Sequence, residues 1–251
     1  MEAARFYRVL DGEKVQCYLC PHHCRIAPGK RGICRVRENR AGALYSLNYG
    51  RLISGNIDPI EKKPIFHLLP GSLSYSIATV GCNFRCLHCQ NYEISQYPTL
   101  HDNEIPGVIR TPAEVVAAAQ AGGCRSISYT YVEPTIFYEF AFATAQLARK
   151  AGLRNIFVSN GYIGPEATRE LAPWLDAINI DLKAFSERFY HEVCGAHLQP
   201  VLDTITLMKE LGVWVEVTTL IIPGRNDSPE ELTEIARFLV KIDCHIPWHL
   251  S

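Results

Sequence analysis

The chain has 251 residues, a length that suits one large domain or a barrel with a small appendage. Its composition is ordinary for a globular protein, and a net charge of −1 does not indicate binding to nucleic acid or to an anionic membrane. No run of about 18 uncharged apolar residues is present, and the N-terminal stretch lacks an apolar signal core. We therefore expect a cytoplasmic protein whose ten cysteines are metal ligands or free thiols rather than disulfides.

Four cysteines are concentrated near the N terminus, at Cys17, Cys20, Cys24 and Cys34. So dense a set favours a metal site over four unrelated thiols. The site is either a structural zinc, with His22 or His23 as a substitute ligand, or a second iron–sulfur cluster, and the spacing does not distinguish the two. Residues 35–71 then alternate short apolar pieces with Gly and Pro, which predicts a hairpin and a connector.

The composition of these segments predicts two domains. Residues 1–71 are expected to form a small Cys-rich metal-binding extension and connector, and residues 72–251 are expected to form the larger domain.

Three further cysteines, Cys82, Cys86 and Cys89, follow a predicted strand over residues 73–80. Their spacing of four and three is also helical spacing, so a chance row of thiols on one helix face is the alternative. Polar residues crowd the segment, which favours a loop around a soft iron–sulfur or zinc centre. Three thiolates leave one iron of a [4Fe–4S] cluster without a protein ligand, so a substrate or cofactor can bind that iron.

After Val80 the sequence repeats a strand, a loop and a helix. Capping boxes begin the first and last helices, at Thr111–Glu114 and Ser228–Glu231. The later predicted strands are 126–131, 154–159, 177–182, 213–222 and a sixth from 247, and the predicted helices are 112–121, 134–151, 165–172, 200–211 and 229–242. Such alternation implies parallel strands with right-handed crossovers, so the predicted fold is α/β, a partial (β/α)6 barrel.

Polar residues stand where the predicted strands end, which is where active sites gather in such barrels. The cysteine segment follows the first strand, and later strands are followed by Glu133, by Asn160, and by Asp181 with Lys183. Turn formation accounts for an Asn or a Gly at a strand end, but it accounts less well for two carboxylates and a lysine there. The rim formed by these strand ends is therefore the predicted active site.

The pattern Cys-x3-Cys-x-aromatic-Cys, with His88 at the aromatic position, resembles that of radical S-adenosylmethionine (SAM) enzymes. The Cys82–Asn91 segment is similar to the activating-enzyme branch, which includes pyruvate formate-lyase activase. Two further motifs, Cys-x2-Cys-Pro-His-x-Cys and Asp58-Pro-Ile-Glu-Lys-Lys-Pro, resemble the radical SAM member of the AmmeMemoRadiSam system over essentially the whole chain.

The resemblance implies a chemistry and its cofactors. Cys82, Cys86 and Cys89 are expected to be catalytic and to hold a [4Fe–4S] cluster whose open iron binds SAM. An electron, delivered by a flavodoxin-type or ferredoxin-type donor, then cleaves SAM to a 5′-deoxyadenosyl radical, and the radical abstracts hydrogen from an unknown substrate, for which a protein is one candidate. The implied class is an oxidoreductase-like radical SAM enzyme.

The resemblance also implies SAM-binding roles at the rim. Glu133 lies where the family carries Gly-Gly-Glu-Pro, with Tyr131 and Val132 replacing the glycines, and is expected to accept a hydrogen bond from the SAM ammonium group. A carboxylate at a helix N terminus is the alternative. Lys183 is expected to pair with the SAM carboxylate and Asp181 to orient it or bind a cation, with an ion pair at the barrel mouth as the alternative. The predicted cofactor-binding set is His88, Glu133, Asn160, Asp181 and Lys183.

Some positions depart from the activase pattern. Val158 and Ser159 stand where activases carry an Asp-Thr pair that helps to bind a cation, and Thr218 stands where an Arg is usual. Cys194 is either a second reactive thiol or a small buried residue. The remaining cysteines, expected to be bystanders, are Cys124 and Cys244.

Two rival functions remain open. One is a glycyl-radical enzyme activase that acts on a backbone glycine of a partner enzyme. The other is a non-catalytic metal-binding scaffold, against which the three-ligand set argues because structural sites are normally closed by four ligands. The family continues beyond the strand begun at Trp248, so we expect the barrel to be C-terminally truncated and prone to self-association through an exposed edge.

Overall fold

The computed structural model describes all 251 residues, as fifteen strands, eight α-helices and a few shorter helical turns. The strands are β1 (Glu2–Ala3), β2 (Tyr7–Val9), β3 (Val15–Cys17), β4 (Arg25–Ile26), β5 (Arg37–Arg40), β6 (Ala43–Ser46), β7 (Arg51–Leu52), β8 (Ser54–Pro59), β9 (Leu73–Ala78), β10 (Val108–Ile109), β11 (Ser126–Tyr129), β12 (Arg154–Ser159), β13 (Ala177–Asp181), β14 (Trp214–Thr219) and β15 (Trp248–Leu250). The helices are α1 (Tyr92–Ser95), α2 (Tyr97–Leu100), α3 (Pro112–Ala121), α4 (Tyr138–Lys150), α5 (Pro165–Leu171), α6 (Glu187–Phe189), α7 (Gln199–Glu210) and α8 (Pro229–Ile242).

The largest sheet has seven strands in the order β15-β14-β13-β12-β11-β9-β8. All neighbours from β9 to β15 pair in parallel, with helices between most successive strands, so the predicted partial (β/α)6 barrel is confirmed. β8 pairs antiparallel with β9 and adds an edge strand to the barrel. It comes from the segment predicted to be a hairpin and connector, and the division of the chain at residues 71 and 72 stays a prediction.

Side chains of the parallel strands alternate between a helix-facing apolar layer and a polar interior. Ile127, Ile178 and Val215 belong to the continuous core that includes the helices. On the opposite face, Ser74 and Ser128 share a hydrogen bond of 2.6 Å inside the barrel. The inner face therefore carries polar groups together with the small apolar cluster of Ile60, Ile65, Ile156 and Ala177.

Helix boundaries follow the local sequence closely. Thr111 and Glu114 form the predicted capping box at the start of α3. Only half of the second predicted capping box forms. Ser228 accepts from the backbone N–H of Glu231, but the Glu231 carboxylate accepts from the N–H of Phe185 at 2.6 Å rather than from the cap residue. The long helix predicted from Pro134 begins as a 3₁₀ turn and becomes α4 at Tyr138. None of the helices has the length and apolar character needed to cross a membrane.

The N-terminal strands form two small sheets, β2-β3-β4 and β1-β6-β5, packed against the barrel in the same core. A buried ion pair joins the two parts: the Arg37 guanidinium of β5 donates to the Glu139 carboxylate of α4. Arg37 also donates to the carbonyl of Arg5 at 2.8 Å, and the Arg5 backbone N–H donates to Glu139 at 2.9 Å. The pair therefore attaches the N-terminal strands to the first long barrel helix.

We expect Glu139→Ala to lower the free energy of unfolding by about 3–5 kcal/mol, because it leaves a buried guanidinium without its counter-charge. Chemical denaturation of the metal-free protein measures this loss. Glu210→Ala, at the exposed end of α7, is the matched control and should change stability little. An equal, small effect of both substitutions would show that the ion pair does not hold the N-terminal strands in place.

Candidate functional site

Residues 81–91, here called the cysteine loop, follow β9 without forming a helix or strand. Cys82, Cys86 and Cys89 all lie half-buried in this loop. The loop begins at Gly81, whose φ of 101° is costly for residues other than glycine. A Cβ at this position would also lie 2.8 Å from Val36 Cγ1 and 3.0 Å from the Cys34 carbonyl oxygen, so the loop passes directly against the N-terminal region.

Side-chain amides fix the first half of the cysteine loop. Asn83 Nδ2 donates to the carbonyl of Tyr162 at 2.9 Å, and Asn160 Nδ2 donates to Asn83 Oδ1 at 2.8 Å. His22 Nε2 lies 2.7 Å from the Asn83 carbonyl oxygen and reaches it from the N-terminal cysteine region. Asn160, a predicted site residue at the end of β12, therefore contacts the loop next to Cys82.

The second half of the loop is bonded to the helical segment Tyr190–Cys194 and to neighbouring segments. The backbone N–H groups of Arg85 and Leu87 donate to the carbonyls of Cys194 and Val193, at 2.9 and 3.0 Å. Two amide side chains complete the attachment, through the pairs Gln96–Phe84 (3.0 Å) and Asn91–Tyr131 (2.7 Å). These supporting residues were not among the predicted site residues, although several amides stand in or beside the cysteine motif itself.

The thiols of the cysteine loop differ in electrostatic environment. Burial, reinforced by the nearby Glu133 carboxylate, raises the pKa of Cys82. A hydrogen bond from Cys194, together with the charge of Lys183, lowers the pKa of Cys86 despite its burial. Cys194 is buried, in line with its interpretation as a small buried residue, but its thiol contacts the thiol of Cys86. In the hydrogen-bonded pair of Cys86 and Cys194, Cys86 is therefore the thiol that ionises first.

The donor set fits an iron–sulfur cluster better than a single ion. Three thiolates would lie within about 3.8 Å of one another around one tetrahedral zinc. In this structure only Asp243, Cys244 and His245 bring three possible ligand atoms within 4.8 Å of one another. The three loop thiols are therefore more widely spaced than this limit. Beside them, His88 has a buried Nδ1 atom without a hydrogen-bond partner, which leaves that atom available to a bound group.

Lys183 and Asp181 reach the same face of the loop from the end of β13. Lys183 Nζ donates to Asp181 Oδ2 at 2.9 Å, and the lysine side chain is 16% exposed. Burial acts against the ammonium, but Asp181 and Cys86 outweigh it and raise the pKa of Lys183. Burial and the charge of Lys183 lower the pKa of His88. A fixed positive charge therefore faces Cys86 and His88.

Glu133 lies buried behind Cys82, and its carboxylate is largely occupied by protein donors. Oε1 accepts hydrogen bonds from the Thr135 N–H (3.0 Å), the Thr135 hydroxyl (2.6 Å) and the Ser159 hydroxyl (2.8 Å). Oε2 accepts from the N–H of Asn160 at 2.7 Å. Burial raises its pKa in spite of these bonds. The geometry favours the helix-cap alternative over direct binding of an ammonium group.

Tyr131, which replaces a glycine of the family pattern, adopts a left-handed backbone with φ of 63°. Its hydroxyl donates to Asp58, and the Lys63 ammonium lies 4.3 Å from its ring centroid. Asp58 also accepts from Lys63 at 2.6 Å and from Lys62 at 2.9 Å. The Asp-Pro-Ile-Glu-Lys-Lys segment thus forms a polar cluster around the Tyr131 side chain, and these contacts hold the left-handed residue in place.

The structure brings every predicted site residue of the barrel to one rim. Glu133 and Asn160 lie beside Cys82, whereas His88, Asp181 and Lys183 lie beside Cys86. The N-terminal cysteines do not reach this rim. They lie behind the loop, around a cavity that is also lined by Asn83.

The sequence model of the Radical SAM superfamily matches residues 76–239. The match covers more than half of the chain, so the chain belongs to the radical SAM superfamily, whose enzymes use a [4Fe–4S] cluster and SAM. An uncharacterized protein of Methanocaldococcus jannaschii is 50% identical over 252 residues, covering 100% of this chain and 74% of the relative.

The chain is also homologous to glycyl-radical enzyme activating enzymes. Isethionate sulfite-lyase activating enzyme of Desulfovibrio desulfuricans is 27% identical over 134 residues, which cover 53% of this chain and 42% of that enzyme. Two solved structures share the fold at low sequence identity. TYW1 with a bound lysine-pyruvate adduct has a TM-score of 0.53 at 16% identity, covering 98% of this chain and 77% of that one. Streptococcus suis SuiB bound to precursor peptide SuiA has a TM-score of 0.51 at 14% identity, covering 67% and 36%.

The role of Glu133 is open to a direct test. We expect Glu133→Ala to destabilise the metal-free, SAM-free protein by about 3 kcal/mol, because buried donors of Thr135, Ser159 and Asn160 lose a charged acceptor. Denaturant unfolding measures this, with the exposed Glu166→Ala as control. Unchanged stability combined with weaker SAM binding would instead assign the carboxylate to the SAM ammonium group.

The Asp58 cluster predicts a pH dependence. Burial opposes ionisation of Asp58, but hydrogen bonds from Lys63, Tyr131 and Lys62 outweigh it and hold its pKa below the usual 3.8. The stability from the ionised form is therefore present above pH 3.8 and is lost as the pH falls through the depressed pKa. Asp58→Asn should cost about 2 kcal/mol near pH 7, and this difference should shrink in acid.

Unfolding of the metal-free protein between pH 7 and pH 2 tests this expectation, with the exposed Asp102→Asn as control. A stability difference for Asp58→Asn that stayed constant through the acid range would contradict it.

Proposed function

We propose that this protein is a radical SAM enzyme in which Cys82, Cys86 and Cys89 ligate the [4Fe–4S] cluster that binds SAM. The observation that carries the proposal is the convergence of this half-buried thiol triad with Asn160, Asp181 and Lys183 at the ends of successive parallel strands. When bound, the cluster supplies the electron that cleaves SAM and releases a 5′-deoxyadenosyl radical, which abstracts hydrogen from the substrate.

The residues around the loop supply binding and orientation. Lys183, fixed by Asp181 at 2.9 Å, presents an ammonium group that can bind the SAM carboxylate. His88 offers its unpartnered Nδ1 on the same side. Asn160 holds the loop through Asn83, and Glu133 holds Asn160, so we assign both residues to positioning the loop beside SAM.

The substrate is proposed to meet the polar interior below the loop, where Tyr131 and the Asp58 cluster lie. A protein or peptide substrate is consistent with two similarities: one relative is an activating enzyme, and SuiB was solved with a precursor peptide. The motifs of the N-terminal region and of residues 58–64 favour a radical SAM enzyme of the AmmeMemoRadiSam type. Activation of a glycyl-radical enzyme is the second candidate, which the homology to activating enzymes supports.

The proposed reaction also needs partners and a domain organisation. A low-potential donor of flavodoxin or ferredoxin type is proposed to deliver the electron. We further propose that residues 1–71 act as a metal-binding extension of the barrel formed by residues 72–251.

Each of Cys82→Ala, Cys86→Ala and Cys89→Ala should abolish formation of 5′-deoxyadenosine from SAM, because each thiolate holds one iron. Anaerobically reconstituted protein with dithionite as reductant is assayed by chromatography. Cys124→Ala, a buried thiol outside both cysteine sets, is the control and should retain turnover. Product formation by Cys86→Ala would refute the ligand assignment. A glycyl-radical signal on a captured partner enzyme would establish the second candidate.

A further inference from the structure

The N-terminal cysteines surround a cavity behind the cysteine loop. Cys17, Cys20, Cys24 and Cys34 all line it, together with apolar side chains such as Leu19 and Ile33. Cys17 is buried and the other three are half-buried, and the hairpin β3–β4 places two of them in its turn. Four soft ligands therefore line one cavity, separate from the thiols of the cysteine loop.

The spacing of these thiols argues against zinc, one of the two metals that the sequence left open. Four thiolates around one zinc ion form a tetrahedron with edges of about 3.8 Å. No three of the N-terminal thiols lie within 4.8 Å of one another, since the one group that meets this limit is the exposed set Asp243, Cys244 and His245. A [4Fe–4S] cube holds its thiolates at the corners of a larger tetrahedron, with edges of about 6 Å.

The surroundings of the sulfur atoms also suit a cluster. Three of the sulfur atoms are near a backbone N–H group. The N–H of His22 lies at Cys20, that of Ile33 at Cys24 and that of Val36 at Cys34. Arg37 Nη1 lies 3.7 Å from Cys17 Sγ. N–H groups and a buried cation around thiolates stabilise the negative charge of a cluster and tune its potential.

We propose that Cys17, Cys20, Cys24 and Cys34 ligate a second [4Fe–4S] cluster, rather than zinc, in the cavity behind the cysteine loop. Four thiolates occupy all four irons, so this cluster has no open position for SAM. Its ligand region contacts the loop directly: His22 Nε2 lies 2.7 Å from the carbonyl oxygen of Asn83, the residue after Cys82.

The test uses the full chain with the loop thiols removed, Cys82→Ala/Cys86→Ala/Cys89→Ala, reconstituted anaerobically with iron and sulfide in the presence of zinc. We expect about four irons per chain in this variant, against about eight in the unmodified protein. Reduction with dithionite should give the EPR signal of a [4Fe–4S]⁺ cluster that does not change when SAM is added. This readout does not depend on SAM cleavage, so the proposed function can fail while this inference stands.

Two outcomes would overturn the inference: a triple variant that binds about one zinc and no iron, or one that binds neither metal while remaining folded. A complementary variant, Cys20→Ser/Cys34→Ser, should keep about four irons with a signal that does respond to SAM. If this variant fails to fold, the triple variant still decides between the metals. Cys244→Ser is the control and should leave the iron content unchanged.

Discussion

The candidate site depends on one constraint: the cysteine loop forms no helix or strand of its own, so its polar groups must be satisfied by other segments of the chain. Asn83 is hydrogen-bonded to Tyr162 and Asn160, and the Phe84 carbonyl accepts from Gln96. The backbone N–H groups of Arg85 and Leu87 donate to carbonyls of the helical segment Tyr190–Cys194. These partners come from segments far apart in the chain. The barrel, the N-terminal hairpin and the helical segment Tyr190–Cys194 therefore all contribute contacts that fix the loop.

Opposite charges lie on the two sides of this loop. Glu133 is buried beside Cys82, and burial raises its pKa although its carboxylate accepts four hydrogen bonds. Lys183 lies beside Cys86, and its pKa rises because Asp181 stabilises the ammonium. A zwitterionic ligand that approaches this face meets an ammonium group at the Cys86 side, that of Lys183 in its ion pair with Asp181. This asymmetry supports the assignment of Lys183, rather than Glu133, to direct contact with SAM.

Much of the fold could be predicted because local signals agreed with the global pattern. Strand β12 matches its prediction residue for residue, and Thr111 with Glu114 caps α3 as expected, since both depend on neighbouring residues alone. What could not be predicted depends on contacts distant in sequence. β8 pairs with β9 across a connector, and the Glu231 carboxylate accepts a hydrogen bond from the N–H of Phe185 rather than completing the predicted capping box. Chain periodicity carries no information about such partners.

The site shows the same division. Strand ends identified Glu133, Asn160, Asp181 and Lys183, because a parallel barrel brings such ends to one rim. The orientation of Glu133 toward Thr135 and Ser159 could not be inferred, and neither could the left-handed Tyr131 in a position where the family has glycine. Tyr131 tolerates this backbone because Asn91 binds its carbonyl and Asp58 its hydroxyl. The contacts of Tyr131 therefore accommodate a residue other than glycine at this position of the loop's surroundings.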